Sequence, residues 1–226
     1  MDPTGLFFAV HDEATVILSN ERYQWIKLSE GFYSSKRFPL MLAVSGIGKS
    51  FASYRLYPLV KNCARILIMG TSGGLSDEKV GSIYLADEFV EHDMNVTGLG
   101  FKKGVTPFCG MKGPVIKKCS ELYFSEIKCA IVSAGMSFLR GRIVSGDSFV
   151  DSVAIAAELK AVFGAALVDM ESAAVAKICW HEKIDVAAVR YISDNANHDS
   201  AVSWQENIKR SASVFNSVLT ALTDAE

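Results

Sequence analysis

The 226-residue chain has no Cys-x-x-Cys pair, and its five cysteines, Cys63, Cys109, Cys119, Cys129 and Cys179, make an odd set. Such a set suits neither a disulfide framework nor a thiolate zinc site, so free thiols in a reducing compartment are expected. Its four histidines fall in no metal-binding spacing such as His-Glu-x-x-His, and no metal is expected. No stretch approaches the roughly 18 uninterrupted apolar residues of a membrane span. The opening "MDPTGLFFAV" lacks the basic segment and cleavage site of a secretory signal, so the expected location is cytoplasmic. Basic residues are dispersed apart from short Lys-Lys pairs, and the formal net charge is -2. Without a basic stripe there is no nucleic-acid face, and a small molecule is the expected partner. Repeats, low-complexity tracts and linkers are also missing.

What the chain has is a sizeable apolar fraction, 50% of its residues. One core can hold a chain of this length, so a single domain over residues 1–226 is expected. Short apolar runs bounded by Gly or Asp read as strands: "GLFFAV", "LMLAVSG", "RILIMG", "IYLADEFV", "CAIVSAG", "RGRIVSGD", "AALVDM" and "DVAAVRYISD". Helix-length segments lie between several of them: "KSFASYRLYPLVKN", "FVDSVAIAAELKAVFG" and "ESAAVAKICWHEKI". This alternation predicts an α/β fold with a central, twisted, mixed and mostly parallel sheet flanked by helices. In the last segment Ser203 and Glu206 read as a capping box, and Trp204, Ile208, Phe215, Leu219 and Leu222 recur at helical spacing. Residues 98–114, "GLGFKKGVTPFCGMKGP", form one long loop punctuated by glycine and proline, a candidate lid or interface.

Ligands of open α/β sheets bind beyond the carboxyl ends of the strands. The residues following the predicted strands are His11-Asp12-Glu13, Ile47-Gly48, Thr71-Ser72-Gly73-Gly74, Phe149, Met170-Glu171 and Asp194. Taken singly, each has an ordinary reading. "GTSGG" is neither a GxGxxG nor a Walker motif and reads as a tight turn. Asp194 could cap a helix or turn, and Glu13 could face water on a first helix. Glu171 is harder to dismiss, because it stands where the apolar run "AALV" passes into an alanine-rich helix. A carboxylate buried there needs hydrogen-bond donors, and two adjacent hydroxyls, as on ribose, supply them. Arg190, mid-way along "VAAVRYIS", likewise needs a carboxylate or a polar ligand if buried.

Six ordered motifs then come together: "VSGIGK" (44–49), "GTSGGL" (70–75), "VGSIYLADEFVEHDMNVT" (80–97), "IVSGDSFV" (143–150), "VDMESAAVA" (168–176) and "VRYISD" (189–194). In this combination the chain resembles the purine nucleoside phosphorylase and uridine phosphorylase superfamily, and within it the 5′-methylthioadenosine/S-adenosylhomocysteine nucleosidases, from about Leu6 to Leu222. The resemblance implies a nucleoside phosphorylase-like fold, hydrolysis of an N-glycosidic bond, no cofactor, and a homodimer. By that resemblance Glu13 activates the attacking water and Asp194 assists departure of the purine through N7. Glu171 takes both ribose hydroxyls, Met170 lies against the ribose, Phe149 stacks on the base and the Val150 backbone bonds the adenine edge. Arg190 and Ser193 support these groups, and Thr71 lies near the water and ribose. Val10, Ile47 and Trp204 line the base and 5′ side, joined by Leu99 and Pro107 from a neighbouring subunit.

The resemblance also favours water over phosphate as nucleophile. Superfamily phosphorylases bring arginines to the phosphate from two positions that here read "HDEA" and Ile68, and anionic side chains without a cation make a poor phosphate site. A phosphorylase would need Arg55 or Arg142 to reach the nucleophile, and a silent nucleoside-binding protein would have lost Glu13 or Asp194. Some positions depart from the nucleosidase pattern. "GTSGG" replaces the usual Ser-Ala-Gly-Gly, Asp169 replaces a common Glu, and Leu99 and Trp204 stand where phenylalanine is frequent. These touch the ribose and 5′ pockets and leave the 5′ group open among methylthio, homocysteinyl, plain deoxy and the group of aminofutalosine.

Overall fold

A computed structural model describes residues 3–75 and 79–225. In chain order the elements are β1 (Thr4–Phe8), α1 (His11–Ser19), β2 (Trp25–Ser29), β3 (Phe32–Ser35), β4 (Leu40–Val44), α2 (Lys49–Asn62), β5 (Arg65–Gly74) and β6 (Ile83–Glu91). There follow α3 (Glu121–Ser133), β7 (Leu139–Ser145), α4 (Val153–Phe163), β8 (Leu167–Asp169), α5 (Ser172–Glu182), β9 (Asp185–Asp194) and α6 (Ser200–Asp224). The strands form one mixed sheet in the order β2-β3-β4-β1-β5-β8-β7-β6-β9. Because β9 also pairs with β5, strands β5, β8, β7, β6 and β9 close into a ring, and β1, β4, β3 and β2 extend from it. The expected α/β architecture is observed, with a closure that alternation of elements does not predict.

Burial explains the composition of the strands. β1 and β9 carry almost unbroken apolar runs because both faces are covered. One apolar layer packs Leu6, Phe8, Leu67 and Val189 against Phe215 and Leu219 of α6. The other packs Phe7, Ile66, Ile68 and Ala188 with Leu56 and Leu59 of α2 and Val175 and Cys179 of α5.

Three expectations are corrected. The run "CAIVSAG" is no strand. Its first five residues end α3, where the Ser120 hydroxyl accepts from the Tyr123 N–H as a cap and Tyr123, Phe124, Ile127, Ala130 and Ile131 form the buried face. A short apolar run serves a strand or one helical face equally well, and the helical spacing over the preceding residues decides. The capping box at Ser203 and Glu206 is not formed, since α6 begins at Ser200 and Ser203 lies inside it, its hydroxyl donating to the Ser193 carbonyl at 2.7 Å. The hairpin of β2 and β3 lies where no strand was expected. It forms an edge whose exposed and half-exposed residues lack a continuous apolar run.

Candidate active site

The carboxyl ends of β1, β4, β5, β7, β8 and β9 open on one cleft of about 280 Å³. Val10, Glu13, Ile47, Thr71, Phe149, Val150, Met170, Glu171, Arg190, Ser193, Asp194 and Trp204 all line it, so twelve of the fourteen residues singled out in the sequence come together. Leu99 and Pro107 do not line this chain's cleft; Leu99 is exposed on the loop that carries both. Ala201 and Gln205 line the cleft beside Trp204 and were missed. They sit three residues before it and one after, on the same face of α6, a neighbourhood that helical spacing could have revealed.

Glu13 is not on a solvated face. It is 2% exposed, in the first turn of α1, which leaves β1 after two residues, Ala9 and the extended Val10. Its Oε1 accepts from the Thr71 N–H at 2.7 Å and the Thr71 hydroxyl at 2.8 Å. Among the described residues its Oε2 has only the Val10 N–H, at 3.4 Å. Burial pushes this carboxyl above its ordinary range, while the Thr71 donors and the Arg190 charge oppose that shift.

The glycines of "GTSGG" give these acids room. In the parallel pairing of β5 with β9, Gly70 lies opposite Arg190. A Cβ on Gly70 would collide with Arg190 Nη1 and stand 3.1 Å from Glu13 Oε2, and one on Gly73 would stand 3.1 Å from Asp194 Oδ1. Gly70→Ala should therefore destabilise the fold by about 1–3 kcal/mol through overpacking. Because the displaced atoms belong to the cleft, catalytic turnover should fall further than the melting temperature suggests; turnover retained in a folded variant would contradict this.

The seam between β8 and α5 divides its two acids. Asp169 turns inward: its carboxylate pairs with the fully buried Arg190, accepts the Ser145 hydroxyl, and accepts the Glu171 and Ser172 N–H groups at 3.3 Å each. Arg190 also donates to the Ser172 hydroxyl. This network pins the head of α5, so the buried arginine's need for a partner is met by Asp169. Glu171 turns to the cleft, where Oε1 accepts from the Gly48 N–H at 2.8 Å. Gly48 has φ +97°, a left-handed conformation that glycine tolerates. Burial, reinforced by the Asp169 charge, pushes Glu171 up to about 8.

Asp194 ends β9 and is 3% exposed. Its Oδ2 accepts the Ser193 hydroxyl at 2.8 Å and its Oδ1 accepts the Ala196 N–H at 2.9 Å. The Ser193 carbonyl is held from α6 by the Ser203 hydroxyl and by Asn207 Nδ2, at 2.7 and 3.1 Å. The aspartate is thus fixed by its own backbone and by the last helix.

Residues 11–225 match the family model described as the phosphorylase superfamily, and the chain belongs to that superfamily. Among solved structures it is similar to the 5′-methylthioadenosine/S-adenosylhomocysteine nucleosidase of Helicobacter pylori bound to butyl-thio-DADMe-Immucillin-A. The TM-score is 0.89 at 26% identity, over 100% of this chain and 99% of that one. An aspartate-to-asparagine mutant of the H. pylori nucleosidase with 5′-methylthioadenosine in its active site matches at TM-score 0.89 and 25% identity, over 100% of both chains. A futalosine hydrolase mutant of H. pylori strain 26695 matches with the same score, identity and coverage. The resemblance read from the six motifs is borne out by the family match.

Proposed function

We propose that this protein is an N-ribosyl hydrolase that releases adenine from 5′-methylthioadenosine, S-adenosylhomocysteine or a close 5′-modified adenosine. The observation that carries this reading is that Glu13, Glu171 and Asp194, from the ends of three strands, open on one cleft lined by Phe149, Val150, Met170 and Trp204. Breaking the N-glycosidic bond builds positive charge on the ribosyl carbon and negative charge on the base. Glu13 takes a proton from water as its oxygen bonds to that carbon. The electron pair of the broken bond passes to the purine, and Asp194 gives N7 a proton. Glu171 and Met170 hold the ribose, Phe149 and the Val150 backbone hold the base, and Val10 and Ile47 complete the wall.

Water is favoured over phosphate by the charges at the cleft. Among the described residues lining it Arg190 is the cation, and Asp169 pairs with it. Arg55 donates to the Glu30 carbonyl at 2.6 Å, and Arg142 is held by Glu88 at 2.7 Å; neither lines the cleft. The deciding experiment offers methylthioadenosine, S-adenosylhomocysteine, 5′-deoxyadenosine, adenosine and aminofutalosine, each with and without phosphate. Phosphate-independent adenine with free sugar is the expected result from a 5′-modified adenosine. A sugar 1-phosphate, or binding without release, would overturn it. Aminofutalosine belongs in the panel because the similarity to the futalosine hydrolase equals that to the nucleosidase.

The Glu171 role predicts a proton count. With no nucleoside bound, its carboxyl, pushed up to about 8, holds its proton at pH 7. Two ribose hydroxyls donate best to the ionised form, so a bound nucleoside pulls the group down. Binding at pH 7 should therefore release up to one proton, and affinity should rise with pH until about 8. Calorimetry in buffers of different ionisation enthalpy measures the release; persistence of that release in Glu171→Gln would refute the assignment.

The reading includes a homodimer. Phe51, Tyr54 and Tyr57 of α2 and Leu99 and Phe108 of the 98–114 loop expose large apolar side chains, the kind of surface a partner covers. A second copy would bring Leu99 and Pro107 to the 5′ side of the cleft. Sedimentation at micromolar concentration should give twice the 24.6 kDa chain mass, and a monomer would exclude it.

A further inference from the structure

Two departures from the nucleosidase pattern touch each other. The Trp204 indole Nε1 lies 3.0 Å from Thr71 Oγ1, and that oxygen lies 2.8 Å from Glu13 Oε1. With Glu13 ionised, the three groups leave no freedom in the direction of the bonds. An indole N–H only donates, an ionised carboxylate only accepts, and a hydroxyl has one proton and two lone pairs. Thr71 must therefore accept from Trp204 and donate to Glu13.

We propose that Trp204 is a positioning residue for the reaction, its indole N–H holding the Thr71 hydroxyl as a donor to Glu13. The inference rests on the hydrolase reading for its purpose, though the hydrogen-bond chain itself is independent of it. Its consequence concerns which oxygen works. Oε1 already accepts two bonds from Thr71, whereas among the described residues Oε2 has only the long contact from Val10. The proton drawn from water is then directed to Oε2, and the carboxylate stays aimed while it waits. Trp204 also lines the cleft from α6, so in the proposed reading the ring that bounds the 5′ side sets the aim of the base. A phenylalanine would bound the pocket equally well but offers no N–H.

Three variants separate positioning from packing. Trp204→Phe keeps a ring and removes the donor, Thr71→Val keeps the shape and removes the hydroxyl, and Thr71→Ser restores the hydroxyl. The charged and titratable groups facing Glu13 are Arg190 from β9 and Glu171 at the head of α5, and all variants leave them in place. The primary readout is the titration of the Glu13 carboxyl by ¹³C NMR in unliganded protein, its signal assigned by loss in Glu13→Gln. Trp204→Phe and Thr71→Val should each move the midpoint upward, Thr71→Ser should leave it near wild type, and the double variant should match Thr71→Val alone. The acid limb of kcat/KM should move with it, lowering kcat/KM below that limb by up to about tenfold for one pH unit. An unchanged midpoint in Trp204→Phe, or an effect that adds in full to Thr71→Val, would overturn the proposal. Because the titration needs no turnover, failure of the chain is distinct from failure of the hydrolase reading, which shows as no adenine release by the wild type.

Discussion

Asp194→Asn is expected to lower kcat for adenine release by roughly 10²- to 10⁴-fold, the usual contribution of a positioned general acid. Nucleoside binding should survive. Asparagine preserves the size of the side chain, and its Oδ1 can still accept the Ala196 N–H that holds the aspartate. The Ser193 hydroxyl, which donates to Oδ2 at 2.8 Å, has the Ser72 carbonyl as a second acceptor at 3.4 Å. The fold around β9 therefore has little to lose, and the melting temperature should stay close to that of the wild type. Under the proposed mechanism the missing proton donor is the main change. A test of that single cause replaces the purine by a leaving group that needs no proton, such as nitrophenolate on 5-methylthioribose. Its hydrolysis should be far less sensitive to Asp194→Asn than adenine release is. Equal losses on both substrates would show that the aspartate positions the sugar instead of protonating the base.

Much of this site is legible in the chain because it is assembled from strand ends. Residues that follow an apolar run at its carboxyl end converge wherever the sheet goes, so Glu13, Ile47, Thr71, Phe149, Glu171 and Asp194 come together despite large separations in sequence. Partner choice inside the site was less legible. Asp169 and Glu171 are chemically alike and two residues apart, and only the pairing of β5 with β9 and of β7 with β8 puts Arg190 and Ser145 beside the first of them. Closure of the strands into a ring was similarly hidden, because β9 must pair with both β5 and β6 and each of its apolar residues suits either neighbour. The "CAIVSAG" run misled for a related reason: its apolar residues lie at the end of a helix whose earlier turns carry the distinguishing period. The link from Trp204 to Thr71 was hidden too, since it joins residues 133 positions apart on different elements.

Glu13→Gln should be as damaging as the loss of Asp194, but with a different signature. In the proposed reaction the carboxylate acts on water, so its loss should slow the nitrophenolate glycoside and the adenine nucleoside alike, by roughly 10²- to 10⁴-fold. Glutamine fits the site, since its carbonyl oxygen can accept both the Thr71 N–H and the Thr71 hydroxyl in place of Oε1. Its effect on stability has a definite sign. Burial raises the Glu13 carboxyl above its ordinary 4.5, so the native state holds this proton where the unfolded chain has released it. The associated stability is present in full below that ordinary value and is lost as pH rises through the raised one. Glutamine cannot ionise. Stability should therefore fall less for Glu13→Gln than for the wild type as pH is raised across this window, even as the variant's activity stays low. Wild-type activity should run the opposite way, rising with pH as Glu13 ionises, and the variant's residual activity should lack that limb. Urea unfolding and kcat/KM measured across the same pH series test both signs, and an unchanged acid limb in the variant would remove Glu13 from the role of base.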